Sequence, residues 1–271
     1  MNSWSYGERE QVLQTNLSWF CLSKRRGRQE TLAEVLAAIL YYEKGIDLIV
    51  VDCDGTQTSF KKLRDRDRAL IEEDPQIAES IHAHFERFQR PSYRIMAAEP
   101  KDALRLVNST LNGMGSSLPD MVIFDFPGHS STKELLELSI QMDFIICPIE
   151  TDVQSLTSSL AYAKTIRDIG VSTSSVRIQD IILVWNKVDR RARSLIIDEY
   201  IKYVKEIGLS LFDAQLYSSV KFSRELGQAG VKEVFRCSYL PPQSKLRIGT
   251  GLDEWVPELL QRIGLVTKSA E

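Results

Sequence analysis

"DLIVVDCDGTQ", residues 47–57, runs from an unbroken Leu-Ile-Val-Val block into two aspartates, Asp52 and Asp54, and then into Gly55, Thr56 and Gln57. A continuous aliphatic block suits a strand covered on both faces, because neither face has room for a polar side chain. The carboxylates then fall where such a strand ends. In open α/β sheets, that rim outside the carboxyl ends of the strands is where ligands bind.

The same pattern recurs along the chain. "YRIMAA" (93–98), "DMVIFDFPG" (120–128), "MDFIICPIE" (142–150), "DIILVWNKVD" (180–189) and "SLFDAQLY" (210–217) read as further buried strands. Helical patterns alternate with them. "ETLAEVLAAILYYEKG" (30–45) stops at Gly45, a C-cap, and "SSTKELLELSIQ" (130–141) opens on Ser/Thr caps with Glu134 three residues after Ser131. "DVQSLTSSLAYAKTIRDIG" (152–170), "RSLIIDEYIKYVKEIG" (193–208) and "GLDEWVPELLQRIGL" (251–265) follow. This alternation predicts an α/β fold with a doubly wound, mostly parallel sheet and right-handed crossovers.

Residues 59–92 break the rhythm. They are charged and helical, interrupted at Pro75, and read as a solvated excursion over the sheet edge, with His82 and His84 on its surface. Residues 1–30 read as an aberrant segment without the apolar first strand that such a sheet needs at its centre. Residues 31–265 then form one α/β domain, and 266–271 a tail.

Bulk properties narrow the classes. The chain has 271 residues, 43% apolar and 26% charged, with a net charge of −3, so no overall basic field points to nucleic acid. Four cysteines, Cys21, Cys53, Cys147 and Cys237, form no CxxC and read as reduced, buried thiols. No apolar run reaches membrane-spanning length and no signal-peptide core follows Met1, so the expectation is a cytoplasmic protein away from membranes.

Three of the strands end in polar residues at whole-βα spacing. Asp52 and Asp54 alternate at one strand end, where one could help a metal and the other orient an attacking water. Asp125 precedes the Pro127-Gly128 turn, an arrangement suited to holding Mg²⁺ while the turn frees a backbone N–H near a γ-phosphate. Asn186 opens "NKVD" (186–189), similar to a base-reading loop.

These residues, in this order, resemble the ParA/MinD family of deviant Walker ATPases. "VVDCDGTQTS" resembles its switch stretch and "VIFDFPG" its Walker B strand. "KGIDLIVVDCD" and "FRCSYLPP" are most similar to ParA-type proteins of conjugative transposons of the Bacteroides kind. The resemblance spans Thr31 to about Leu265 and implies a P-loop NTPase fold, SIMIBI-like. It also implies ATP and Mg²⁺ as cofactors and a homodimer with nucleotide between two subunits. A transfer or partition partner protein and non-specific DNA binding are implied as well. Carried onto this chain, Asp54 and Asp52 take the switch positions, Asp125 the Mg²⁺ side and Asn186 an adenine-loop position. Lys24 takes the signature lysine. Thr31, Gln29 and Glu30 complete the phosphate-loop columns, Thr31 also on the metal side, and Gln57 and Gly128 flank the nucleotide. Lys221, Arg224, Arg190, Arg191 and Arg193 are the candidates for DNA contact.

The phosphate loop departs from the family. K-R-R-G-R-Q-E-T (24–31) lies over K-G-G-V-G-K-T-T, so Arg25, Arg26 and Arg28 fill glycine columns. Their side chains oppose the close backbone approach that lets consecutive N–H groups face phosphate. Gln29 replaces the catalytic lysine, and Glu30 places a carboxylate where a Mg²⁺-binding hydroxyl belongs. ATP binding and hydrolysis are therefore expected to be impaired, and a chain that holds no cofactor is one outcome. A genuine pseudo-ATPase is one reading. The genetic code offers another. Arg-Arg-Gly-Arg-Gln can be encoded AGG CGG GGT AGG CAA. Read one base later with the following G, it becomes Gly-Gly-Val-Gly-Lys. A compensated frameshift over residues about 10–30 would turn the same bases into an intact loop. A third class with this ancestry, a cobyrinate-synthase-like or dethiobiotin-synthase-like enzyme, would add substrate loops or a glutaminase domain, and none is visible.

Overall fold

The structure is a computed structural model and describes residues 18–23, 31–54, 58–127, 132–172, 177–191, 195–227 and 233–265. Seven strands form one sheet: β1 (Ser18–Ser23), β2 (Leu48–Asp52), β3 (Arg94–Ala97), β4 (Met121–Phe126), β5 (Phe144–Ile149), β6 (Asp180–Trp185) and β7 (Ser210–Leu211). Their order is β3-β2-β4-β1-β5-β6-β7, and every pairing is parallel. The helices are α1 (Thr31–Tyr42), α2 (Ser59–Glu73), α3 (Pro75–Phe88), α4 (Pro100–Gly113), α5 (Lys133–Ser139), α6 (Val153–Ser172), α7 (Leu195–Glu206), α8 (Ser244–Arg247) and α9 (Leu252–Arg262).

The sheet feeds two cores. In β4, Met121 and Ile123 face α1 and α9, while Val122, Phe124 and Phe126 face α4, α5 and α6. Strands covered on both sides must be apolar at every position, which is why their sequences show continuous runs instead of alternation. Helix α1 is buried all round: Leu36 and Leu40 are fully enclosed, and even Tyr41 and Tyr42 are buried. A helix apolar on every face is one with neighbours on every face. Burial of each such leucine contributes roughly 1.5–3 kcal/mol.

Local chemistry sets the boundaries. Gly45 adopts φ 69° after α1, and the Ile46 N–H donates to the Leu40 carbonyl at 3.0 Å, a Schellman-type stop. Asp74 ends α2 and caps α3, accepting from the N–H groups of Gln76 (2.9 Å) and Ile77 (3.3 Å), with Pro75 in the first turn. Thr132 caps α5 through the Leu135 N–H.

Three expectations are corrected. The N-terminal segment does supply the first strand: Ser18–Ser23 lies at the centre of the sheet, between β4 and β5. Its short Trp-Phe-Cys-Leu run, flanked by serines, was too brief to read as a buried strand, yet Trp and Phe favour β structure. The strand exists in the chain as written, which removes one argument for the shifted frame and leaves the codon arithmetic untouched. The charged excursion is also not simply a solvated face, because Arg64 and Asp67 on α2 are buried. Helix α4 was not anticipated. Its buried Ala103, Val107 and Leu111 keep helical spacing, but Asn108, Ser109 and Thr110 beside them are weak helix formers. The strand expected over 210–217 shrinks to Ser210–Leu211, although Leu216 still donates its N–H to the Trp185 carbonyl at 2.8 Å.

Candidate functional site at the carboxyl rim of the sheet

The central strands β2, β4 and β1 end side by side. Asp52 and Asp125 are register partners on β2 and β4, and Leu22 of β1 flanks Asp125 on its other side. The chain leaves β1 at Ser23 and begins α1 at Thr31. The expected loop residues Lys24, Gln29 and Glu30 fall between them, outside the described residues, as do Gln57 and Gly128. The crossover from β1 to α1 therefore starts at the rim that carries both aspartates, as a phosphate loop would.

Asp52, Asp54 and Asp125 are all buried. Asp52 bridges two elements. Its Oδ1 accepts the Asp54 N–H at 3.2 Å, and its Oδ2 accepts the Phe60 N–H at 2.9 Å. Phe60 lies in the first turn of α2, whose N-cap residue Thr58 sits at φ 42° and makes no side-chain capping bond. Asp52 thus caps α2 from the strand, placing a carboxylate at the positive end of the helix dipole. Ser59 Oγ approaches Asp125 Oδ2 at 3.4 Å, and the Cys53 N–H donates to the Asp125 carbonyl at 2.9 Å. The Asp54 carbonyl accepts the Thr58 N–H at 2.8 Å.

Asn186 follows β6 and is half-buried, donating its N–H to the Ile149 carbonyl at 2.7 Å. It lies on the same rim as Asp125 but three strands away, a lateral separation of about 14 Å at ordinary strand spacing. Lys187 takes a left-handed φ of 55° and pairs with Glu150 at 3.1 Å. The rim therefore gathers Asp52, Asp54 and Asp125 at one point and sets Asn186 apart.

The cationic candidates are partly committed to neighbours. Arg224 pairs with Glu233 at 3.0 Å, Lys221 Nζ donates to the Ile248 carbonyl at 2.9 Å, and Arg190 stacks 3.9 Å above the Tyr217 ring. Arg191 is exposed, and Arg193 lies outside the described residues. No helix among the described residues is long and apolar enough to cross a membrane.

A second polar centre, invisible to motif reading, sits behind α2. Ser238 is its hub. Asp67 Oδ2 accepts both the Ser238 N–H (2.7 Å) and its hydroxyl (2.9 Å). Arg64 donates to the Ser238 hydroxyl (3.0 Å) and carbonyl (3.1 Å), to Ser92 Oγ (2.7 Å) and to the Tyr93 carbonyl (3.2 Å). Its guanidinium lies between the rings of Tyr93 and Tyr239. The Tyr42 hydroxyl also donates to the Ser238 carbonyl, and burial pushes the phenols of Tyr42 and Tyr93 up, so both stay neutral. An ionic chain runs on from there: Asp67 to Arg66, Arg66 to Glu225, Glu225 to Arg236 and Arg236 to Glu34 of α1 at 2.6 Å. The available signal was Phe60, Leu63, Arg64 and Asp67, which share one helical face at i, i+3, i+4 and i+7. Two charges on an otherwise apolar stripe are buried with it.

No family model and no curated protein matches the chain. Solved structures do. The cell division ATPase MinD of Pyrococcus furiosus matches with a TM-score of 0.53 at 12% identity, over 90% of this chain and 99% of its own. A cobyrinic acid a,c-diamide synthase from Mycobacterium smegmatis, solved with bound ADP and magnesium, gives 0.54 at 14% identity over 94% and 100%. A partition protein gives 0.51 at 10% identity over 95% and 76%. Identities this low establish the fold and leave the chemistry to the site.

That chemistry was tested against the nucleotide and Mg²⁺ implied by the resemblance. Asp125, the carboxylate the resemblance assigns to the Mg²⁺ side, is buried at the end of β4. Asp52 already spends both oxygens on backbone N–H groups, and no group of three or more His, Cys, Asp or Glu among the described residues could hold a metal ion. The loop residues 24–30 that would face a triphosphate lie outside the described residues. The seven-stranded parallel sheet, its strand order and the aspartate rim give this chain the fold of the ParA/MinD-type P-loop ATPases.

Proposed function

We propose that this chain is a ParA-like ATPase-family protein of a mobile element, acting in conjugative transfer or DNA partitioning, with ATP binding and hydrolysis impaired as written. The observation that carries the reading is the rim itself. Asp52 and Asp125 stand as register partners beside the strand that leads into the loop at 24–30. Buried carboxylates on adjacent strand ends beside that crossover support a ligand site at the carboxyl rim of the sheet. In this reading Asp54 and Asp52 keep the switch positions, Asp125 the Mg²⁺ side and Asn186 the base side, while Lys24 and Thr31 are what survives of the loop. The protein acts through a transfer or partition partner, as a cytoplasmic homodimer wherever nucleotide can bind.

A second reading, a non-catalytic scaffold on the same fold, is favoured by the substituted loop and by the capping role of Asp52. Titration of the purified chain with ATP, with and without Mg²⁺, tests the impaired loop that both readings share. The expected outcome is no Mg²⁺-dependent binding at micromolar nucleotide, and tight Mg²⁺-dependent binding overturns the impaired-loop reading. Reading the gene across codons 10–31 tests the frame directly. DNA affinity, if carried by Arg190, Arg191 and Lys221, should fall steeply with salt. A salt-independent signal removes the DNA assignment.

A further inference from the structure

The two polar centres meet on one helix. At its first turn, α2 rests on the rim: the Phe60 N–H is held by Asp52 and the Ser59 hydroxyl by Asp125. Two turns on, it is held by the segment 233–239 through Asp67 and Arg64, both bonded to Ser238. Arg66 carries the hold further, through Glu225 and Arg236, to Glu34 in the first turn of α1. Phe60 and Leu63, on the same stretch of the helix, are both buried. From Phe60 to Asp67 the helix rises about 10 Å, and a packed helix of that length moves as a stiff body.

We propose that α2 is a built-in latch. Its first turn closes the Asp52–Asp125 rim from within, and its hold is set at the far end by segment 233–239 acting as a strap. Displacing the strap loosens the rim, and loosening the rim frees the strap. Three features support a device over ordinary packing. The helix relies on a carboxylate from another element in place of its own cap, since Thr58 makes no capping bond. The strap contacts α2 through charged and hydroxyl groups, which have an all-or-none geometry, rather than through apolar surface alone. Glu233 and Tyr239 of the strap are exposed and half-buried, so a partner can reach it from outside. None of this depends on nucleotide, so the latch stands or falls separately from the ATPase reading.

The test is amide hydrogen exchange on the full chain without nucleotide, read over 58–63, over 233–239 and over the remote helix α6 as reference. Ser238→Ala and Asp67→Asn should each speed exchange over 58–63 as well as 233–239 by about tenfold relative to α6, the size expected for losing one charge-assisted hydrogen bond. Ser238→Thr, which keeps the hydroxyl and N–H, should restore wild-type rates. By reciprocity, Asp52→Asn should speed exchange over 233–239, far from the substituted residue. Faster exchange confined to 233–239 in the Ser238 variant, or a matching rise in α6, overturns the latch. If Ser238→Ala does not fold, the Asp52→Asn measurement decides, and an unchanged 233–239 segment in that variant overturns the proposal.

Discussion

Removing the carboxylate of Asp67 should destabilise this protein more than most single substitutions. The side chain is completely buried and sits four residues beyond Leu63 on the inner face of α2. It accepts two bonds from Ser238, at 2.7 and 2.9 Å, and one from Arg66 at 2.9 Å. In Asp67→Ala the buried Ser238 N–H loses its acceptor, and the enclosed Arg64 guanidinium loses the negative charge that balances it through the Ser238 hydroxyl. A hydrogen bond to a charged group contributes about 1.5–3 kcal/mol, and breaking a buried charge network by removing one partner costs about 3–5 kcal/mol. The expected loss is therefore about 3–5 kcal/mol, a large share of the roughly 5–15 kcal/mol that holds a domain together. Urea unfolding followed by tryptophan fluorescence reads this as a drop in midpoint at unchanged slope. Asp67→Asn retains the shape and one acceptor and should fall between the two. Combining Asp67→Ala with Ser238→Ala should give less than the sum by about 1 kcal/mol or more, because both remove the bond between the Ser238 hydroxyl and Asp67. An Asp67→Ala protein within about 1 kcal/mol of wild type would refute the idea that this network carries charge balance in the core.

Three further outcomes follow from the geometry. Gly251 has φ 83°, and a Cβ there would lie 1.8 Å from the Gln215 carbonyl oxygen, so Gly251→Ala should cost about 2–4 kcal/mol by displacing α9 with its buried Trp255. Gly113→Ala, with nothing within 4 Å, should be neutral or stabilise by up to about 1 kcal/mol, and equal denaturation midpoints for the two variants would contradict this. His84 packs against Tyr42 and Phe88, and burial, with Arg87 adding to it, holds its pKa below the ordinary value of 6.5. The unfolded chain therefore takes up that proton first, so His84's contribution to stability is full above about pH 6.5 and is lost as pH falls toward the folded value. His84→Phe should flatten that slope between pH 7 and 5, and an identical slope in the variant removes His84 as its source. Burial pushes the Cys147 thiol up to about 12, so at pH 8 it should react with a thiol reagent only as fast as the protein opens, which site-resolved mass spectrometry checks against a denatured control.

Much of the architecture was legible before any coordinates. The Leu-Ile-Val-Val and Met-Val-Ile-Phe runs marked β2 and β4 because a doubly covered strand admits no polar residue, and their terminal aspartates marked the rim. Helix α1 was legible through its Gly45 stop. Element β1 was harder to see, since its four apolar residues lie in a segment whose remainder gives no strand signal. Helix α4 escaped because its buried stripe is interleaved with weak helix formers. At the rim, spacing brought Asp52, Asp54 and Asp125 to one end of the sheet but said nothing of what their oxygens would touch.

The sequence by itself determined the alternation of strands and helices and the row of carboxylates, because hydrophobic period and strand ends are local properties of the chain. Only the tertiary structure decided that Asp52 caps α2, that Arg64 and Asp67 turn inward, and that Ser238, more than 170 residues beyond them, joins the two. A buried charge is tolerable only with its partners in place, and those partners come from distant parts of the chain that no local pattern connects.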